Sequence, residues 1–146
     1  MRVAMKNMLN GLAGATLLLG ALGASAPAVA SGDRAKLVIQ VSDNDVAKWN
    51  LALNNARNIQ NDLGKDKADL QIVAYGPGIN MLKAEAEVAN RIQEAIDSGV
   101  QVVACENTMR NQKLNKGDMH AKVGYVRSGV VEIMQKQKDG YAYLRP

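Results

Sequence analysis

The sole cysteine, Cys105, lies in the stretch VVACENTM, residues 102–109, where an apolar run turns polar. A thiol in that setting can pack as a small apolar side chain, pair with a thiol of another chain, or act as a nucleophile once deprotonated. No second cysteine stands three residues away, which excludes both a CxxC dithiol and an intrachain disulfide. Hydrolysis on a Cys/His pair would need a base, and the sole histidine, His120, follows a polar break at Lys116–Asp118 and reads as a loop residue. One Cys, one His and scattered carboxylates form no recognisable metal site, so neither metal nor cofactor is expected. A lone thiol can still accept a sulfur atom, form a mixed disulfide or attack an electrophile.

The neighbours of Cys105 bear on which of these applies. Asn107 and Thr108 read as the cap of a following helical turn, and backbone amide protons at a helix start stabilise a thiolate. Glu106 opposes that stabilisation if its carboxylate faces the sulfur, and Arg110 would offset it.

Compartment matters to any thiol. The chain opens with Arg2 and Lys6, an apolar stretch over about residues 12–22, and Ala28, Val29 and Ala30 before Ser31. This is the three-part pattern of a secretory signal peptide cleaved after Ala30, with the periplasm as destination. The glycine-interrupted apolar core is too short to span a bilayer comfortably, so no membrane association is expected after cleavage. Cleavage leaves residues 31–146, read as a single domain of 116 residues, and lowers the formal charge from +4 to +2 by removing Arg2 and Lys6. So small a positive balance predicts solubility, not a nucleic-acid partner, and the few dispersed aromatics form no stacking platform.

The elements that would position Cys105 alternate along the chain. Residues 36–42 (KLVIQVS) and 69–75 (DLQIVAY) read as strands buried on both faces. Between them, Asp43, Asn44 and Asp45 supply caps for a helix ended by Gly64, with Trp49, Leu53, Ala56, Ile59 and Leu63 on its apolar face. A second helix is predicted from about residue 80 to Asp97, with Leu82, Ala86, Ala89, Ile92 and Ile96 inward. A third strand over residues 100–106, a short helical stretch, a strand near 121–126, a helix over 130–137 and a last strand in YAYLRP complete the pattern. Alternation of this kind predicts an α/β fold, a three-layer sandwich with a mostly parallel sheet of about five strands. Its commonest small form is the flavodoxin-like order 2-1-3-4-5, which puts Cys105 in a crevice between strands one and three, with Asn44 and the Gly76, Pro77, Gly78 turn nearby.

Two further patterns stand out. Asn50, Asn54, Asn58 and Asn61 recur along the first helix, where asparagine is a mediocre former, so they face water, an interface or the crevice. The GPG turn offers backbone amides to an anion, though it also serves as a plain strand-to-helix turn, and no phosphate-loop pattern is present. Met81 and Met134 read as packing residues. The apolar side chains of residues 130–134 suit packing on a sheet or another subunit, so a homo-oligomer is expected.

The succession KLVIQVSDND, KWNLALNNARNIQNDLG, IVAYGPGINML, GVQVVACENTM and GVVEIMQKQKDGYAYLRP resembles the DsrE/DsrF-like family, in particular its small exported single-domain branch. The resemblance implies a compact DsrE-like sheet domain, frequent oligomers, and a sulfur carrier whose cysteine takes up sulfane sulfur as a persulfide and passes it to a partner protein. On that resemblance the carrier role falls on Cys105, with Asn107 and Thr108 as its setting and Gly76, Pro77, Gly78 and Asn54 at recurring positions. The alternative left open is a noncatalytic oligomeric binding or assembly protein in which Cys105 only packs.

Overall fold

The computed structural model describes residues 34–146; the expected signal peptide, residues 1–30, lies outside the described residues. Five strands, β1 (Ala35–Val41), β2 (Ala68–Ala74), β3 (Gln101–Cys105), β4 (Gly124–Val126) and β5 (Ala142–Leu144), alternate with helices α1 (Val46–Leu63), α2 (Ala89–Asp97), α3 (Glu106–Asn111) and α4 (Gly129–Lys138). Every strand pair is parallel.

Local chemistry accounts for the helix limits. The Asp45 carboxylate accepts from the amides of Ala47 at 2.8 Å and Lys48 at 3.4 Å, which starts α1. Gly64, at φ 98°, ends it by donating to the Gln60 carbonyl. Trp49, Leu53 and Ala56 are buried as expected, with Ile59 packed at the margin. Leu63 is not: it is 47 % exposed, because Gln60 takes the inward position of the last turn and bonds to Ser98 through both ends of its amide.

The second predicted helix begins nine residues late. Residues Gly76–Leu82 form a 3-10 turn that buries Met81 and Leu82 fully. Lys83 then pairs antiparallel with Met119, and the Ala84 amide donates to the Asp118 carbonyl at 3.0 Å. Those cross-chain bonds take the groups that a helix would have used, so α2 starts only at Ala89.

Strand order is β4-β3-β2-β1-β5, not 2-1-3-4-5. β2 therefore separates β1 from β3, and the crevice expected between them does not exist. Successive steps from β1 to β4 run one way across the sheet, and right-handed crossovers put their connections on one face. There α1, α2 and α3 pack Trp49, Ile92 and Met109 against Ile39, Ile72 and Val102. The step from β4 to β5 runs back past all of them, so α4 falls on the other face, with Ile133 against Val38, Val73 and Val103. A bond of 2.9 Å from the Gln71 side-chain amide to Glu132 fastens α4 to β2.

One helix cannot bury all its apolar residues against this face. Val130, Val131 and Met134 are 52 %, 61 % and 53 % exposed. Met134 is thus not the packing residue it was expected to be, because Gly129 and Ile133 define the buried side of α4 and residue 134 lies off it.

The turn after β2 is clamped to the end of β1. The Gly78 amide donates to the carbonyls of Ser42 and Tyr75, each at 3.1 Å, and a Cβ on Gly78 would stand 2.3 Å from the Val41 carbonyl oxygen. Only glycine permits that backbone approach. Gly78→Ala is expected to destabilise the fold by about 1–3 kcal/mol, as overpacking does. Urea unfolding measures it, and an unchanged midpoint would mean that the turn lifts off β1 without penalty.

Candidate functional site

At the carboxyl ends of β3 and β4 the chain departs in opposite directions, toward the α1 and α2 face after β3 and toward α4 after β4. That divergence is the position where open α/β sheets form their crevice. Cys105 is the last residue of β3, which places it at this divergence of β3 and β4 and not between β1 and β3 as expected.

Cys105 is 4 % exposed, and its strand parity puts its side chain on the α4 face with Val103. Burial by itself pushes the thiol up. Neighbouring polar groups more than compensate by favouring the thiolate: the Gly129 amide at the first turn of α4, the Thr108 amide and hydroxyl, and the Asn107 amide. The net effect holds the thiol below its ordinary 9.0. Asn107 and Thr108 do not cap α3 as expected. Cys105 itself occupies the cap position and α3 begins at Glu106, with no capping hydrogen bond to the Cys105 side chain.

Thr108 is oriented by a second bond. Its Oγ1 accepts from the Gly76 amide at 2.9 Å, so the hydroxyl proton is left to point at the sulfur. Gln112 adds a 3.2 Å bond to the Gly76 carbonyl. The Gly76 and Gly78 amides are both engaged by protein acceptors, which removes the anion-binding reading of the GPG turn.

Gly129 was not singled out from sequence. An added Cβ there would lie 3.1 Å from Cβ and 3.2 Å from Cδ1 of Tyr75, so the bare backbone lets the start of α4 settle against Tyr75 at the end of β2. A glycine opening an apolar helix was visible, but its partner Cys105 stands 24 positions upstream, and local spacing carries no sign of the pairing.

The Asn107 amide also donates to the Arg127 carbonyl at 3.2 Å, stitching the two loops together. Beside this seam lies an open groove of about 450 Å³, lined by Asn107, Val126, Arg127, Ser128, Val131 and Glu132, with Gln135 at its edge. Glu106 and Arg110, expected to contend over the thiol, are not among the leading causes of its shift. Tyr125 is pushed up first by burial and then by the Glu106 charge, while Arg110 donates to the Asn107 side chain.

Other candidate residues fall outside this cluster. Asn44 accepts at 3.2 Å from Asn80, on the far side of the GPG turn from Thr108. Asn54 accepts at 2.6 Å from Arg91 of α2, on the face opposite α4. The His120 ring nitrogen accepts from the Lys122 amide at 3.3 Å and is not among the groups acting on Cys105.

The DsrE/DsrF-like family profile matches residues 35–146, and the chain belongs to that family. Membership points to sulfur-relay-related chemistry. Among solved structures it is similar to a protein of unknown function from Methanobacterium thermoautotrophicum, at 32 % identity and TM-score 0.73 over 77 % of this chain and 99 % of that one. A conserved protein of unknown function from Bacteroides thetaiotaomicron matches at 19 % identity and TM-score 0.63, over 76 % and 94 % of the two chains. The ychN protein of E. coli matches at 14 % and 0.63, over 77 % and 99 %; these last two share the fold. No curated protein matches the chain.

A thiol held below its ordinary value gives stability a definite pH dependence. Between the native value and the unfolded 9.0 the unfolded chain binds more protons. The contribution is therefore complete above 9.0 and lost as pH falls through the native value. Thr108→Val should move the thiolate absorbance titration of Cys105 upward, while Thr108→Ser should leave it near the parent. An unmoved Thr108→Val curve would remove the hydroxyl from the account.

Proposed function

We propose that the protein is an exported sulfur-transfer protein that carries sulfane sulfur as a persulfide on Cys105 in the periplasm. The observation that carries this reading is the place of one thiol at the end of β3, beside the starts of α3 and α4, where backbone amides and the Thr108 hydroxyl favour its thiolate. Family membership supports the sulfur-relay class, and the residue pattern before Ser31 supports export.

The step is a thiol exchange. The Cys105 thiolate attacks the terminal sulfur of a donor persulfide R–S–SH; the new bond joins Cys105 Sγ to that sulfur, the old sulfur–sulfur bond breaks, and R–S⁻ leaves with the bonding pair. No net oxidation occurs, and the step is complete without metal or nucleotide. The same donors that stabilise the thiolate stabilise the negative charge of the bound persulfide, and a partner thiolate reverses the step to collect the sulfur. The groove beside the seam offers such a partner an approach between Asn107 and Arg127.

Exposure of the protein to inorganic polysulfide followed by intact-mass measurement tests this. One or more added sulfur atoms are expected, removed by a thiol reductant and missing in Cys105→Ser. Modification of the native protein that persists in Cys105→Ser, or a thiol that reacts only after unfolding, would sink the proposal and favour the noncatalytic assembly reading.

We further propose a homo-oligomer built on the exposed side of α4. All-parallel sheets are ordinarily covered on both faces, and Val130, Val131 and Met134, on the one helix that covers this face among the described residues, are open to water. Light scattering should give a multimeric mass that falls toward the monomer in Val131→Asp; a wild-type monomer at working concentration contradicts the proposal.

A further inference from the structure

The groove beside Cys105 keeps its positive and negative charges apart. Val126, in its lining, is the register partner of Cys105 across β3 and β4, and Asn107, two residues past the thiol, lines it as well, so one end of the groove abuts the sulfur. Arg127 follows Val126 in the same lining. The Arg110 side chain donates to the Asn107 side-chain oxygen, which brings a second guanidinium to that end. Neither arginine has a carboxylate partner among the described residues.

The neighbouring carboxylates are engaged elsewhere. Glu132 accepts at 2.9 Å from Gln71, whose strand partner Gln101 lies four residues before Cys105. At about 3.3 Å per residue, that is roughly 13 Å down β3 from the thiol. Glu106 acts on Tyr125, whose ring packs on the α1 and α2 side of the sheet with Lys116 4.6 Å over it. Beside the thiol the groove is therefore cationic, with Val126 and Val131 as apolar walls. Its volume of about 450 Å³ is that of a small-molecule site.

We propose that the sulfur donor to Cys105 is the persulfide of a small thiol that bears a carboxylate a few bonds from its sulfur, with the carboxylate held by Arg127 and Arg110. This rests on the sulfur-transfer reading and names the class of molecule that supplies it. The Cys105 thiolate takes the terminal sulfur, the sulfur–sulfur bond of the donor breaks, and the donor departs as its thiolate with the bonding pair. That departing group is a second anion, so the cations that bind the carboxylate also favour the charge that develops as the bond breaks. A cationic thiol of the same size meets like charge there, and a neutral one gains nothing from the guanidiniums. Arg127 is the specificity-determining residue. Its side chain is exposed and only its backbone carbonyl holds Asn107, so exchanging the side chain leaves the seam between the two loops in place.

Three symmetric disulfides test this, because a thiolate opens them by the same exchange: dithiodipropionate with two carboxylates, hydroxyethyl disulfide with no charge, and cystamine with two ammonium groups. In each case a mixed disulfide forms on Cys105 and the other half leaves as a thiolate. Intact mass follows the adduct on the native protein, and each rate is divided by that of free mercaptoethanol with the same disulfide. Dithiodipropionate should lead cystamine by roughly tenfold or more at low salt and lose that lead as salt screens it. Arg127→Gln should remove most of the lead and Arg127→Lys should restore it, both with the hydroxyethyl disulfide rate and the light-scattering mass unchanged. Equal normalised rates for the three disulfides, or a lead that survives in both Arg127→Gln and Arg110→Gln, would overturn the anionic donor while leaving Cys105 a reactive thiol. Reaction with none of the three in the native protein would overturn the sulfur-transfer reading and the anionic donor with it.

Discussion

After β4 the chain stops stepping outward across the sheet and doubles back past three strands to pair β5 with β1. Because the crossover hand is the same throughout, that single reversal decides which helix covers which face. Among the described residues it leaves α4 alone on one side, and it lays the first turn of α4 across the end of the neighbouring strand. The environment of Cys105 is a by-product of this geometry. A thiol at the end of β3 in a sheet that continued in one direction would have met only its own helix.

The loops at that end of the sheet are joined through shared atoms. Gly78 sits on the end of β1, Gly76 donates to Thr108, and Asn107 is tied to Arg127. Each bond satisfies a backbone group that a strand-to-helix turn would otherwise leave to water, and together they leave little freedom around the sulfur. The glycines at 78 and 129 serve one purpose in two places, since each lets backbone approach where a side chain would hold it off.

Features set by neighbouring residues were legible in the sequence. Asp45 and Gly64 mark the ends of α1, apolar density marks the strands, and alternation gives the parallel α/β class, all through chemistry local to a few positions. Strand order was not legible, because orders 2-1-3-4-5 and 4-3-2-1-5 demand the same alternation and differ only in which connection crosses which face. The late start of α2 depends on Lys83 finding Met119 far along the chain, and the exposure of Leu63 and Met134 depends on what stands opposite them. At the thiol, Cys105, Asn107 and Thr108 were visible as a cluster, whereas Gly129 joins it only through the fold. The asparagines were recognised as unusual, but Arg91, which accounts for Asn50 and Asn54, lies on another helix.

The two outer strands, β4 and β5, are three residues long. Such brief borders expose few unpaired peptide groups, and the Arg127 and Arg145 side chains that follow them are charged and exposed. Sideways recruitment of another strand, the usual route from open sheets to fibrils, finds almost no template there. The molecule is thereby protected from lateral self-templating while keeping an all-parallel sheet, and among the described residues most of its exposed large apolar side chains, Leu51, Leu63, Val130, Val131 and Met134, lie on helices.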